Sequence, residues 1–186
     1  MKAIAATLVT LMIVNFASAK TYILESGKWT DAKVWNNQYP GTTIHADDVV
    51  IIRGQVVLTT PIVIEGTLEV EKGAYMVGMQ TLLISKSGMF INNGNTVMKG
   101  IVNEGTINNN LIMEAKADAD NLGIIDNNNL ISASHNFNNL RGTAGGKGGL
   151  YIADNKINGS PEATFGNEVR FLVGNETEIA LNTEKR

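Results

Sequence analysis

The 186-residue chain carries 15 basic and 18 acidic residues, a formal net charge of −3 at pH 7, and no cysteine. That balance speaks against a nucleic-acid partner, whose binding surfaces are basic, and no polybasic stretch is present to hold an anionic membrane. Without cysteine, disulfides, thiolate metal sites and cysteine nucleophiles are excluded.

Residues 1–19 read as a secretory signal. Lys2 supplies the positive charge, an apolar run extends from Ala3 to Val14, and Ala17-Ser18-Ala19 offers small residues for cleavage before Lys20. The run is shorter than the roughly 20 residues a membrane span needs. No later run is long and apolar enough to anchor the chain, so no membrane span is expected after cleavage.

Residues 20–48 are expected to form an N-terminal cap segment. Tyr22-Ile23-Leu24 suits a first strand, and Ser26-Gly27-Lys28 and Tyr39-Pro40-Gly41 read as turns. Both tryptophans, Trp29 and Trp35, fall between them. Large rings near one end of an elongated β core suit a cap over its terminal layer, and a ligand-stacking platform is the alternative.

Residues 49–141 hold the repetition. Short apolar runs such as Val49-Val50-Ile51-Ile52, Val56-Val57-Leu58, Ile62-Val63-Ile64 and Leu82-Leu83-Ile84 each end at turn residues. Gly66, Gly88, Gly105 and Gly123 recur at intervals of 22, 17 and 18. Strands this short with that spacing predict stacked coils, in which each coil shields the interior of its neighbour. The expected fold is all-β: a right-handed parallel β-helix, or β-solenoid, with an N-terminal aromatic cap. The 21 Asn that follow residue 19 cluster between the apolar runs. They are expected either to ladder from coil to coil or to sit singly in exposed turns.

Residues 114–123 interrupt the pattern. Glu114-Ala115-Lys116-Ala117-Asp118-Ala119-Asp120 predicts a short helical turn or a loop leaving the stack. Residues 142–149 read as a Gly-rich loop, and residues 150–186 as terminal strands, including Leu150-Tyr151-Ile152 and Val169–Val173, with a polar tail from Asn182.

No motif assembles a catalytic, cofactor or metal site. Gly146-Lys147 fits the middle of a phosphate loop, but Arg141 replaces its first glycine and Gly148 its hydroxyl. Asp118, Asp120 and Gly123 match part of a calcium loop, while Leu122 and Asn129 offer the wrong groups at two ligand positions; a weak site on these carboxylates is the residual option. His45 and His135 are isolated. Glu69 and Glu71 share one face of a strand, with Arg53 and Lys72 nearby, but lack a supporting groove. Asn158-Gly159-Ser160 and Asn175-Glu176-Thr177 match the glycosylation triplet.

The passage Gly27-Lys28-Trp29, Trp35, Pro40-Gly41, Asp47-Asp48-Val49-Val50-Ile51, Gly54, Val56-Val57-Leu58 and Ile64-Glu65-Gly66 resembles the opening of G8-like, Bacteroidetes-type secreted bacterial parallel β-helix proteins. The likeness covers about residues 26–73. It implies a β-helix and an extracellular setting near adhesion or polysaccharide-active modules, and it maps no catalytic residue onto this chain.

The expected protein is a secreted, non-enzymatic structural or adhesive component of a cell surface or matrix. Its expected partner is itself, another surface protein or a polysaccharide. The alternative is a glycan-binding or glycan-cleaving β-helix, which predicts Trp29, Trp35, Tyr39 or Tyr75 exposed along a groove. An ice-binding face is a third option that needs a regular Thr array, and only Thr59, Thr60 and Thr67 offer themselves.

Overall fold

The computed structural model describes residues 19–36 and 38–174. The signal segment, except Ala19, lies outside them, as do the triplet at Asn175 and the tail.

The chain winds through seven three-stranded coils and part of an eighth. In chain order they are β1 (Thr21–Leu24), β2 (Gly27–Lys28) and β3 (Thr43–Ile44); β4 (Val49–Ile52), β5 (Gln55–Leu58) and β6 (Ile62–Ile64); β7 (Thr67–Val70), β8 (Tyr75–Gly78) and β9 (Thr81–Ile84); and β10 (Met89–Asn92), β11 (Asn95–Met98) and β12 (Gly100–Asn103). Then follow β13 (Thr106–Asn109), β14 (Ile112–Ala115) and β15 (Ala119–Asn121); β16 (Ile124–Asn127), β17 (Leu130–Ala133) and β18 (Asn136–Asn139); β19 (Thr143–Gly145), β20 (Leu150–Ala153) and β21 (Lys156–Gly159); and finally β22 (Thr164–Phe165) and β23 (Arg170–Val173). Equivalent strands stack in parallel as three sheets. Face A runs from β1 to β22, face B from β2 to β23, and face C from β3 to β21. The fold is the parallel β-solenoid that the short runs and glycine spacing predict.

Within a four-residue strand the second and fourth side chains point inward. Val50 and Ile52 are fully buried while Val49 and Ile51 are half-buried, and the same alternation recurs along β7, β11 and β17. Inward side chains stack in columns. One column on face A reads Tyr22, Val50, Leu68, Phe90, Ile107, Ile125, Ala144, Phe165. Each coil's backbone bonds to the coils on either side, so the core needs no second layer.

The stack is longer than the expected 49–141. Residues 21–44 already form its first coil, and strands continue through Val173. The expected interruption at 114–123 is absent. β14 and β15 pair in register with the coils on both sides, Ala115 and Ala119 pointing inward. Stacking against preformed neighbours overrides the helical propensity of an Ala-rich stretch. The Gly-rich segment likewise begins with a strand, β19, before its corner turns at Gly146.

The N-terminal end is capped. An excursion between β2 and β3 carries a 3₁₀ turn, Ala32–Trp35, whose first free amide, Lys33 N–H, donates to Asp31. Trp29 and Trp35 meet edge to face with ring centres 5.0 Å apart, and both are buried. Their indole N–H groups donate to the carbonyls of Gly41 and Trp29. The other end closes on a second cluster, Phe137, Tyr151, Phe165 and Phe171.

Candidate functional site

The chemical groups singled out in the sequence do not converge. Glu69 and Glu71 face different partners: Glu69 Oε1 accepts from Asn93 Nδ2 at 3.0 Å, and Glu71 Oε1 pairs with Arg53 at 3.3 Å. Exposed His45 lies 3.7 Å from Glu65, and His135 is exposed about half the chain away in sequence. Lys147 donates its backbone N–H to Asn128 at a corner, with no helix behind it. Asp118 and Asp120 flank Ala119 in a strand segment on the outer side of face C, where no calcium loop forms. Asp118 accepts from the backbone and side chain of Asn136, and Asp120 from Asn138 Nδ2 at 2.7 Å. Asn121, which follows Asp120 in the same strand, points into the core. Among the described residues no three His, Asp or Glu side chains are placed to share a metal ion. Thr67 aligns with Thr21, Thr106, Thr143 and Thr164 on the outside of face A, but Val49, Met89 and Ile124 break the column. Thr59 and Thr60 lie outside it, between β5 and β6.

The asparagines organise the stack. From β10 onward the last inward position of face A changes from aliphatic to Asn: Leu24, Ile52 and Val70 give way to Asn92, Asn109 and Asn127. On face C, Ile44, Ile64 and Ile84 give way to Asn103, Asn121 and Asn139. All six are fully buried. Each of the first two amides in a row donates to the Oδ1 of the Asn in the following coil, at 2.7–2.8 Å. Each amide also meets a corner carbonyl one coil on, such as Leu130 O for Asn109 and Thr143 O for Asn121. An outer ladder runs along the corner between faces A and B, from Asn128 through Asn110 and Asn93 to Glu69. Another crosses face C from Asn158 through Asn138 to Asp120. Laddering was one of two sequence expectations; that two of the rows would be buried at strand ends was not visible in the clustering.

Two surface features remain. On the outer side of face B nine of the fourteen outward positions from β5 to β23 are apolar; Gln55, Asn95, Glu114, Ser132 and Arg170 are the others. Its two columns include Val57, Tyr75, Val77 and Val97 toward the N-terminal end, and Ile112, Leu130, Leu150, Ile152 and Leu172 toward the other. All nine keep solvent exposure. Neighbouring runs in the sequence hid this face, because alternation sends every second apolar residue outward.

The second feature is an open cleft of about 470 Å³ at the N-terminal end, lined by Lys20, Tyr22, Gln38 and Tyr39. Tyr22 begins the inward column of face A, yet it is only partly buried, whereas Val50, Leu68 and Phe90 below it are fully buried. The cap shields Leu24 and Ile44 completely but leaves this corner open. Tyr39 forms a wall, tilted against Trp35 at 6.4 Å, and burial pushes its phenol above the ordinary range. Trp29 and Trp35 are buried and offer no stacking face; Tyr75 is exposed, on face B and away from the cleft.

No family model, curated protein or solved structure matches the chain.

Proposed function

We propose that the chain is an exported, non-enzymatic structural or adhesive component that works by lateral contact, and that its partner is a second copy of itself. The outer side of face B carries this reading. Two outward columns follow the stacking axis from β5 to β23, and nine of their fourteen positions are apolar, with Gln55, Asn95, Glu114, Ser132 and Arg170 between them. Exposed apolar side chains gathered on one face mark an interaction site. A face related to itself by a two-fold axis needs no second surface.

Magnitude decides what kind of contact this is. Seven strands about 4.8 Å apart and four residues of about 3.3 Å each give a footprint of roughly 450 Å². A stable interface covers about 800 Å² per partner. One pair of copies is therefore weakly and reversibly held. The non-enzymatic part of the reading is supported by the carboxylates, since Glu69, Glu71, Asp118 and Asp120 are each tied to a structural partner. The export part is supported by the tripartite pattern of residues 1–19.

Sedimentation velocity over a range of concentrations, together with retention on the producing cells, tests the proposal. The parent chain should associate reversibly. Leu130→Lys and Val97→Asp, both on outward positions, should abolish association while leaving the circular dichroism spectrum unchanged. A parent chain that stays monomeric at every concentration and is not retained on cells removes this reading.

A further inference from the structure

We propose that the N-terminal cleft over Tyr22 binds one acidic sugar unit of an extracellular polysaccharide. The proposal deepens the adhesive reading and rests on its export component, because such polymers are met outside the cell. It uses a different surface from face B.

Every inward side chain of a solenoid is shielded by the coil before it and the coil after it. Among the described residues Tyr22 has Val50 after it and no coil before it. The excursion that caps the rest of the first coil stops short of this corner, and the cleft stands where the missing layer would be. The Tyr22 side chain lines it. Tyr39 supplies a second ring at the side. The C–H face of a pyranose ring, slightly positive, suits the negative face of a phenol. A volume of about 470 Å³ falls inside the range of small-ligand sites, roughly 300–1,000 Å³.

The rim selects the class. Gln38 offers an amide that both donates and accepts, which suits ring hydroxyls. Lys20 offers an ammonium, and among the described residues no carboxylate lines the cleft. Asp48, the acid that Lys20 does touch, accepts from the Lys20 backbone N–H at 2.9 Å. Among the described residues no carboxylate lies within ion-pair distance of the Lys20 ammonium. A purely apolar ligand would bury these polar groups without partners, at a cost. A sugar carrying a carboxylate satisfies all four side chains: rings against rings, hydroxyls against Gln38, the anion against Lys20.

The test is an NMR titration of the exported, purified chain with oligogalacturonate, and separately with a neutral cello-oligosaccharide of the same length. Resonances of Tyr22, Gln38 and Tyr39, and of the Lys20 side chain, should shift together with the acidic probe. Lys20→Gln should weaken its binding roughly tenfold, the loss of one charge-assisted contact, and should remove most of the salt dependence. Gln38→Ala should weaken both probes. Both positions are exposed, so neither variant should disturb the fold. Absence of shifts at the four residues overturns the proposal, as does equal binding of the two probes with no effect of Lys20→Gln. Shifts confined to face B also overturn it. Association through face B should be indifferent to Lys20→Gln, so the two proposals fail separately.

Discussion

Two kinds of asparagine ladder differ in direction as well as burial. Outer rows end on Glu69 or Asp120, carboxylates that only accept, so the adjacent amide must donate toward the N-terminal end and the next one follows suit. Inner rows donate the other way, because corner carbonyls of the following coil need donors. Burial then sets the energetic weight of each row. Asn109 Nδ2 serves Leu111 O, Leu130 O and Asn127 Oδ1, the last fully buried. Asn109→Ala removes these bonds together with the Oδ1 that accepts from buried Asn92, and should cost about 2–4 kcal/mol. Asn110→Ala removes an exposed rung whose partners can turn to water, and should cost less than about 1 kcal/mol. Urea unfolding of the two variants checks this; equal losses would mean that burial is not what gives the inner rows their weight. Asn103, first in its row, is the instructive exception. With Ile84 before it, its Oδ1 is buried without a partner, whereas Asn92 at the equivalent place on face A accepts from the Thr96 hydroxyl.

Corners set the rise from one coil to the next, and glycine makes them passable. A Cβ at Gly88 would lie 2.0 Å from the carbonyl oxygen of Ile64, which already accepts from the backbone and hydroxyl of Ser85 and cannot retreat. Gly73 is the contrast: open space around it, but φ of +86°. Gly88→Ala should therefore cost about 3–5 kcal/mol, against about 1–2 kcal/mol of backbone strain for Gly73→Ala. Thermal melts of both variants decide whether crowding or conformation governs; a larger loss at Gly73 would reverse the assignment. The interval between Gly66, Gly88, Gly105 and Gly123 was legible because the same crowded corner recurs before β7, β10, β13 and β16. The misreading of 114–123 has an equally local cause. Ala115 and Ala119 alternate with charged residues at period two, which is a strand signal, but Ala and charge in mixture also suit a helix. Only the neighbouring coils decide between them.

At the scale of the molecule the stack has two unlike ends, and the sequence disclosed just one of them. Trp29 and Trp35 stand out as the only tryptophans, so a cap could be read from them. The cleft beside that cap could not, since Tyr22 meets Gln38 and Tyr39 only through the depth of the excursion between β2 and β3. The other end was hidden too, because Phe137, Tyr151, Phe165 and Phe171 come from three successive coils. Tyr151 anchors that cluster. Its hydroxyl donates to Gly145 O at 2.9 Å. Burial, with a smaller contribution from Asp126, pushes the phenol far above its ordinary range. The unfolded chain releases this proton near pH 10 while the folded chain keeps it. The folded state therefore binds more protons above that pH, and stability must fall as pH rises beyond about 10. Tyr151→Phe should lose about 1 kcal/mol at neutral pH, where the hydrogen bond is missing, and should flatten the alkaline fall. Tyr39, whose phenol is also raised, keeps a residual slope in the variant. Denaturant titrations at pH 7 and through the alkaline range measure both arms. An alkaline slope as steep in the variant as in the parent would show that ionisation elsewhere, not the opening of this terminal cluster, limits the stack.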